Sequence, residues 1–372
     1  MFESALRLTR RFSWFLFGSI SFGVAMFLAG LSHAAGKPPP GPPINSEIVY
    51  EIATANGVNL AVANADGTNQ KVVLSNRGNN SSPSWSPDGT QIIFASNLPS
   101  PGIYRLGIKR NTGQADGTPQ LITHLNNAYL PLANPVWSPV ATPDGQSYIA
   151  YSDTSPGVSD YSIYLVDPAT LNSFKLTNPP PGVSDLRHSW SPDATQIAVS
   201  HRSDNNEPTP YDIQVLTLGT TGCPVGQSLC EVQPRQSLVE NIVGSPLLVA
   251  DPILAPAWGN NGNEIAVFAL IPPNDNGDIW IIPVANPEDA WNLTDTNKAN
   301  PPDRQETAPT WSPNDSQIMY RALRGLCNNR DKNFQGIVVR NLNGIPFPDG
   351  CEEKILINDA NSPSWWRGLP QP

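Results

Sequence analysis

The stretch that decides the fold is Ser-Pro-Ser-Trp-Ser-Pro-Asp-Gly at residues 82–89, followed by Gln-Ile-Ile-Phe-Ala-Ser at residues 91–96. In a Ser-Pro-Asp-Gly turn, proline supplies the fixed φ of the first corner and glycine supplies a positive φ at no steric cost. The residues after the turn are mostly β-branched, aromatic or small, which is typical of a strand. The stretch therefore predicts two antiparallel strands joined by a tight turn.

Variants of this stretch recur five more times, at residues 134–145, 187–193, 255–262, 308–314 and 362–365. Their tryptophans are 52, 53, 68, 53 and 54 residues apart. That period fits four short strands, the unit of one blade of a β-propeller. Because each tryptophan occupies the same place in a structural repeat, we expect all six to pack between blades rather than to bind a ligand: Trp85, Trp137, Trp190, Trp258, Trp311 and Trp365.

The sixth copy ends after its first strand, and its three missing strands match residues 48–52, 59–62 and 71–74 at the other end of the chain. Joining the two ends would complete the sixth blade and leave only the short, protected edges of a closed ring. The sequence therefore predicts an all-β fold over residues 46–368. We expect a six-bladed β-propeller of four-stranded antiparallel blades, with the last blade closed by strands from both termini and a short tail at residues 369–372.

Composition supports this fold class. Proline accounts for 40 of 372 residues, which excludes long helices because proline lacks an N–H donor and clashes inside a helix. Ten tryptophans and a hydrophobic content of 39% are too much core-forming material for a disordered chain.

Residues 1–34 have the pattern of an export signal. Arg7, Arg10 and Arg11 precede an uncharged stretch at residues 12–31, and Ser-His-Ala at residues 32–34 fits a signal-peptidase site. The alternative is an uncleaved anchor, since 20 uncharged residues could span a bilayer. Both hypotheses place the body of the protein in the periplasm or outside the cell. Residues 35–45 predict a stiff, proline-rich linker.

The net charge of the chain limits the classes of partner that we expect it to bind. Without residues 1–34 the chain has 19 basic and 31 acidic residues, a net charge of −12. An acidic domain repels nucleic acid and anionic lipid, so we expect neither as a partner beyond the N-terminal segment itself. We expect the protein to be a monomer.

Four cysteines in an exported chain fit a disulfide framework. The local pairing of Cys223 with Cys230 closes a loop of eight residues, and Cys327 would then join Cys351. The second pairing has a difficulty, because simple blade geometry places its two cysteines on opposite faces. A zinc site is the alternative, but neither pair has the usual spacing of zinc ligands.

The repeated Pro-x-Trp-Ser-Pro-Asp-Gly phrase, followed by a strand such as Ile-x-Phe-x-Ser, resembles the TolB-like six-bladed propellers with WD40-like Pro-Asp repeats. The resemblance covers residues 46–368. It implies a periplasmic, non-enzymatic scaffold that binds a protein partner, in that family a peptidoglycan-associated lipoprotein of the Tol–Pal system. The α/β domain that precedes the propeller in the family's namesake has no counterpart in the roughly ten residues between the expected cleavage site after Ala34 and the first strand, so the full Tol–Pal role is not carried over.

No catalytic motif occurs in the sequence. The residues on either side of the repeated proline, which should line the central channel, include no carboxylate. We therefore predict no catalytic residue, no metal site and no cofactor. The alternative is a propeller enzyme, a lyase or metal-dependent hydrolase acting on carbohydrate or lactone.

The third copy differs from the others, and it suggests a binding rim. Arg187 and His188 stand where other copies have a small residue and proline, and His201 and Arg202 end the next strand. Blade geometry places these four residues at one rim of an acidic domain, where they would bind an anionic group or an acidic segment of a partner; a plain solvated loop is the alternative. The same rim should also hold Asn134, Arg304, Glu306 and Asn361.

Overall fold

A turn closed by its own side chains joins the first two strands of a repeat. In the first copy, the Ser86 hydroxyl donates to Asp88 at 2.7 Å, and the Gly89 N–H donates to the Ser86 carbonyl at 2.9 Å. Gly89 has a φ of 64°, which glycine adopts without a Cβ clash. The third copy makes the same turn with Ala194, at a φ of 55°. The turn chemistry read from the sequence therefore forms in the structure.

A computed structural model of the chain describes residues 47–109, 112–127, 129–202, 211–238, 255–270, 277–294, 305–323, 334–344, 346–347 and 351–368. In chain order its strands are β1 (Ile48–Thr54), β2 (Gly57–Ala63), β3 (Lys71–Leu74), β4 (Asn80–Trp85), β5 (Gln91–Ser96), β6 (Gly102–Lys109), β7 (Gln114–His124), β8 (Val136–Trp137), β9 (Ile149–Thr154), β10 (Tyr161–Val166), β11 (Ser173–Lys175), β12 (Ser184–Trp190), β13 (Gln196–Arg202), β14 (Tyr211–Gly219), β15 (Cys230–Ser237), β16 (Ala257–Trp258), β17 (Glu264–Leu270), β18 (Gly277–Pro283), β19 (Trp291–Asn292), β20 (Gln305–Trp311), β21 (Gln317–Leu323), β22 (Gln335–Asn341), β23 (Glu353–Asn358) and β24 (Ala360–Trp365). A short helix, α1 (Leu130–Ala133), precedes β8, and a 3-10 turn (Pro287–Asp289) precedes β19.

These strands form six antiparallel sheets of four strands each. Blades 1 to 5 are β4–β7, β8–β11, β12–β15, β16–β19 and β20–β23, and blade 6 has the strand order β24-β1-β2-β3. The predicted fold class, a six-bladed propeller, is confirmed.

Blade 6 joins the two ends of the described chain. Strand β24 pairs antiparallel with β1, with Trp365 opposite Ile48 and Ala360 opposite Ile52. Strand β1 continues the sheet to β2 through seven paired positions. The predicted closure by strands from both termini is therefore confirmed, and it removes the open edges that a linear row of blades would expose.

The hydrophobic core lies between neighbouring blades. Trp190 of blade 3 is fully buried among Ala150 and Ile163 of blade 2. Its indole N–H donates to the Val136 carbonyl in the first strand of blade 2 at 3.2 Å. The other repeat tryptophans take the same place between their own blade and the preceding one: Trp85, Trp137, Trp258, Trp311 and Trp365.

An insertion lengthens the connection between β14 and β15, and a disulfide closes it. Cys223 and Cys230 are bonded, with their Cα atoms 5.3 Å apart. The pairing of Cys327 with Cys351 stays a prediction, because Cys327 lies outside the described residues. The predicted signal peptide at residues 1–34, the linker and the tail at residues 369–372 also lie outside them. Across the ranges given above, no helix is long and apolar enough to cross a membrane.

Candidate functional site

The first strands of the six blades surround one central cavity of about 980 Å³. The strands that contribute are β4, β8, β12, β16, β20 and β24, which bring the same short phrase from each repeat to the axis. The cavity is lined by the residues on either side of the repeated proline position, in blade order Ser82 and Ser84, Asn134 and Val136, Arg187 and Ser189, Ala255 and Ala257, Ala308 and Thr310, Ser362 and Ser364.

The start of the first strand is irregular in five of the six blades, at the end of the strand that lies near the Glu51 side chain. The pairing of β4 with β5 shifts register between Ser81 and Ser84, and equivalent shifts occur in blades 3 and 5. A β-bulge of this kind bends its strand and leaves a residue unpaired in the ladder. The residue before the proline takes a left-handed φ at Ser82, Asn134, Ala308 and Ser362. In blade 1 the Ser82 N–H is thereby released from the sheet at this end of the channel.

Glu51 of β1 accepts hydrogen bonds from one of these bulges. Its carboxylate receives the Ser82 N–H at 2.8 Å and lies 3.4 Å from the Ser81 hydroxyl, and the residue is only 8% exposed. Burial raises the pKa of Glu51 above its ordinary value. The Ser82 N–H, the Ser362 hydroxyl and the positive charge of Arg187 partly offset that rise. Glu51 is therefore a buried acid held among groups from blades 1, 3 and 6.

Arg321 occupies in β21 the position that Glu51 occupies in β1, three residues after the residue paired with the repeat tryptophan. Burial lowers the pKa of Arg321, and the negative charge of Glu51 acts in the opposite direction. Sequence reasoning missed both residues. A signal was available, because the same position in the other four blades is uncharged: Ala95, Ser152, Ser200 and Phe268.

Four of the predicted rim residues are half-buried and lie on the first two strands of their blades or just before them: Arg187, Asn134, Arg202 and Asn361. Arg187 and Asn134 line the cavity. Asn361 pairs with Glu51 across β24 and β1. We call this group of residues the Glu51 mouth: Arg187 and Asn134, which line the cavity, and Glu51, Arg321, Asn361 and Arg202, which lie near them on the first two strands of their blades.

His188 and Glu306 differ from the prediction of a solvent-facing rim. His188 is 1% exposed, with its Nδ1 atom 3.2 Å from the Ser152 hydroxyl. Burial lowers the pKa of His188 to about 4, so the ring is neutral at physiological pH. It is buried because it replaces the repeated proline, which is buried in the other five blades. Glu306 is 0% exposed on β20.

His201 belongs to a buried network in blade 3. Its Nδ1 atom lies 2.8 Å from Asp185, which also accepts two hydrogen bonds from Arg235, each at 2.9 Å. Arg235 donates in addition to Glu231 at 2.6 and 2.9 Å. Burial alone would raise the pKa of Asp185, but the hydrogen bonds from His201 and Arg235 lower it overall. The network joins the inner and outer strands of the blade. Arg304, the remaining predicted rim residue, lies outside the described residues.

The opposite end of the cavity is lined by the turns after the first strands and by the segment that follows β24. Trp366 donates its indole N–H to the Pro87 carbonyl at 3.1 Å. Arg367 reaches blades 3 and 4, where it donates to the Trp258 carbonyl at 3.1 Å. We call this part of the channel the Arg367 end. Sequence reasoning did not assign Arg367 a role, because no repeat copy contains an equivalent arginine.

Within the ranges that the structure describes, no group of three or more His, Cys, Asp or Glu side chains could hold a metal ion. Two carboxylates line the cavity, those of Asp193 and Asp315, and both belong to turns rather than to the first strands. Apart from those two carboxylates, the polar side chains that line the cavity are mainly hydroxyl groups, amides and the arginines Arg187 and Arg367, set among tryptophan, proline and other apolar side chains.

No protein-family model and no curated protein matches this sequence. Among solved structures, TolB from Acinetobacter baumannii is 21% identical, with a TM-score of 0.56 over 86% of this chain. This chain spans 66% of that protein's length, just under two thirds. A putative TolB from Agrobacterium tumefaciens is 16% identical, with a TM-score of 0.50 over 84% of this chain and 89% of its own. A more distant match, with a TM-score of 0.45 and 12% identity over 85% of this chain and 73% of its own, is an oligogalacturonate lyase in complex with manganese. The resemblance drawn from the repeats is therefore confirmed at the level of the fold: this chain has the propeller fold of the TolB structures.

Proposed function

We propose that this protein is an exported, non-enzymatic scaffold that binds a protein partner at the Glu51 mouth. The observation that carries the proposal is the set of buried and half-buried charges there, Glu51, Arg187 and Arg321, beside backbone groups released by the bulges. Charges held in place at the mouth of a cavity select the orientation and charge of whatever enters.

The partner that fits best is an acidic segment of a cell-envelope protein, for which a lipoprotein is the candidate class. The chain as a whole is acidic, with a net charge of −10. Arg187 and Arg202 therefore concentrate positive charge against an acidic background, and such a local field steers an acidic segment towards them. The fold shared with the TolB structures supports protein binding in general. Periplasmic or secreted location and a monomeric state are parts of the same proposal.

Crosslinking the mature protein in its native envelope and identifying what it captures is the direct test. The captured partner is then titrated against the variants Arg187→Ala and Arg202→Ala, and each should weaken binding by about tenfold or more. Lys109→Ala is the matched control, because Lys109 is an exposed cation at the end of β6. Unchanged affinity in both arginine variants, with unaltered thermal unfolding, would exclude the Glu51 mouth as the binding surface.

The alternative, a lyase or metal-dependent hydrolase, has no supporting observation among the described residues. It is tested by measuring the divalent metal content of the purified protein and its unfolding midpoint with and without a chelator. Stoichiometric metal together with a lower midpoint after chelation would favour the enzyme over the scaffold.

A further inference from the structure

The segment after β24 places an arginine inside the ring. Trp366, Arg367 and Gly368 all line the central cavity. Trp366 is held at blade 1 through the Pro87 carbonyl, and its backbone N–H donates to the Glu47 carbonyl at 2.9 Å. Arg367 then extends to the blades on the other side of the axis. The position of its guanidinium therefore depends on closure of the whole ring.

Among the residues that the structure describes, the hydrogen-bond acceptors of the Arg367 guanidinium are all neutral. It donates to the carbonyls of Trp190 and Trp258 at 3.4 and 3.1 Å, and to the Ser189 hydroxyl at 3.4 Å. An arginine side chain has five N–H donors, so these three contacts leave donor capacity unused. Burial lowers the pKa of Arg367 to about 10, which still leaves the group charged at neutral pH.

The two carboxylates that line the cavity are committed elsewhere. Asp315 accepts the backbone and side-chain amides of Asn260, both at 2.9 Å, and the Asn261 N–H at 2.6 Å. Asp193 accepts hydrogen bonds from Ser191 and Thr195 within its own turn. Neither forms an ion pair with Arg367. Across the described part of the chain, no carboxylate lies within ion-pair distance of this half-buried guanidinium, and the negative charge of Asp315 acts on it from a longer distance.

We propose that Arg367 is the anchor of a carboxylate-binding site inside the channel. A guanidinium presents parallel N–H donors that match the two oxygens of a carboxylate. The cavity of about 980 Å³ has the size of a small-ligand pocket, and hydroxyl groups of Ser84, Ser189, Thr310 and Ser364 line it. The ligand class is a small molecule or chain end that carries a carboxylate and additional polar groups. This site lies at the opposite end of the same cavity from the partner surface proposed at the Glu51 mouth.

The carboxylate could belong to a free organic acid or to the C-terminus of a peptide, and calorimetric titration of the full-length protein distinguishes the two. The probes are succinate, a tetrapeptide with a free C-terminal carboxylate, and the same tetrapeptide as its amide, all at one ionic strength. We expect saturable binding of one or both carboxylates with a stoichiometry of one, and none of the amide. Binding of succinate indicates a free-acid site, whereas binding of the peptide acid alone indicates a chain-end site.

Arg367→Gln should weaken carboxylate binding by about 10-fold to 100-fold. Arg105→Gln is the matched control, because Arg105 also donates to neutral oxygens, those of Gln120 and Pro168, but outside the channel. If Arg367→Gln does not fold, Arg367→Lys keeps the charge and should still weaken binding, since one ammonium cannot reproduce a paired contact. Absence of saturable binding up to about 10 mM of either carboxylate, equal binding of the amide, or wild-type affinity in Arg367→Lys and Arg367→Gln would overturn the proposal.

Discussion

Replacement of Asp185 by alanine tests whether the blade 3 network holds the inner and outer strands together. Asp185 is fully buried on β12, and it accepts hydrogen bonds from His201 on β13 and from Arg235 on β15. The variant leaves Arg235, whose side chain is only 15% exposed, without one of its two carboxylate partners. Removing one member of a buried ion pair leaves an uncompensated charge, and this dominates the cost.

The size of the loss in unfolding free energy depends on the hydrogen bonds that Arg235 keeps in the variant. Breaking a buried pair costs about 3–5 kcal/mol, and the low end applies here because Glu231 still accepts two hydrogen bonds from Arg235. We therefore expect Asp185→Ala to lower the free energy of unfolding by about 3 kcal/mol at pH 7. The assay is urea unfolding, followed by tryptophan fluorescence and by circular dichroism to check that the two transitions coincide.

Acid should abolish the difference in unfolding free energy between the wild type and Asp185→Ala. The folded-state pKa of Asp185 is lowered, so its contribution is present above the ordinary aspartate pKa and is lost as the pH falls through the folded-state value. Asp66→Ala is the control, because Asp66 is exposed and its hydrogen bonds with Thr68 lie within its own turn. A loss in Asp185→Ala no larger than that in Asp66→Ala, or a loss that does not begin to shrink as the pH falls below the ordinary aspartate pKa, would refute the reasoning.

Three further outcomes are expected. Trp190→Ala should lower the free energy of unfolding by about 3–5 kcal/mol, because the side chain is fully buried between blades; a loss below about 1 kcal/mol in urea unfolding would contradict this. Cys223→Ser combined with Cys230→Ser should cost about 2.5 kcal/mol through the chain entropy of an eight-residue loop, and chemical reduction of the wild type should match it if the disulfide is the cause. Glu51→Gln should raise the unfolding midpoint at pH 7, since the raised pKa means that ionised Glu51 destabilises the fold above its ordinary pKa; the gain should vanish at pH 3, and a pH-independent change would argue against burial as the cause.

The fold could be predicted from the sequence because the residues that determine it are close together in the chain and recur in each blade. Each blade carries its own turn phrase, tryptophan and short apolar strands, and the spacing of the copies sets their number. The closure of blade 6 was also accessible, since strands missing from one end of the repeat series stood at the other. The structure forms that pairing in the expected order, with Trp365 opposite Ile48.

The channel was predictable only in part. Arg187 and Asn134 line the cavity as blade geometry implied, because their positions follow from the repeat register. His188 was expected at the surface, but it fills a buried proline position, so its place in the repeat outweighs its polarity. Glu51 and Arg321 lie in separate strands far apart in the sequence, and the effect of the Glu51 charge on Arg321 depends on the packing of blade 5 against blade 6.

The sequence by itself determined the blade, the number of blades and the manner of closure, because turn chemistry and strand alternation act over a few residues and then recur. Only the tertiary structure decided which charges meet in the channel. Arg367 shows why: it lies two residues beyond the last repeat tryptophan, yet its contacts are Ser189, Trp190 and Trp258. Contacts between residues more than 100 positions apart exist only once the ring is closed, and no local pattern encodes them.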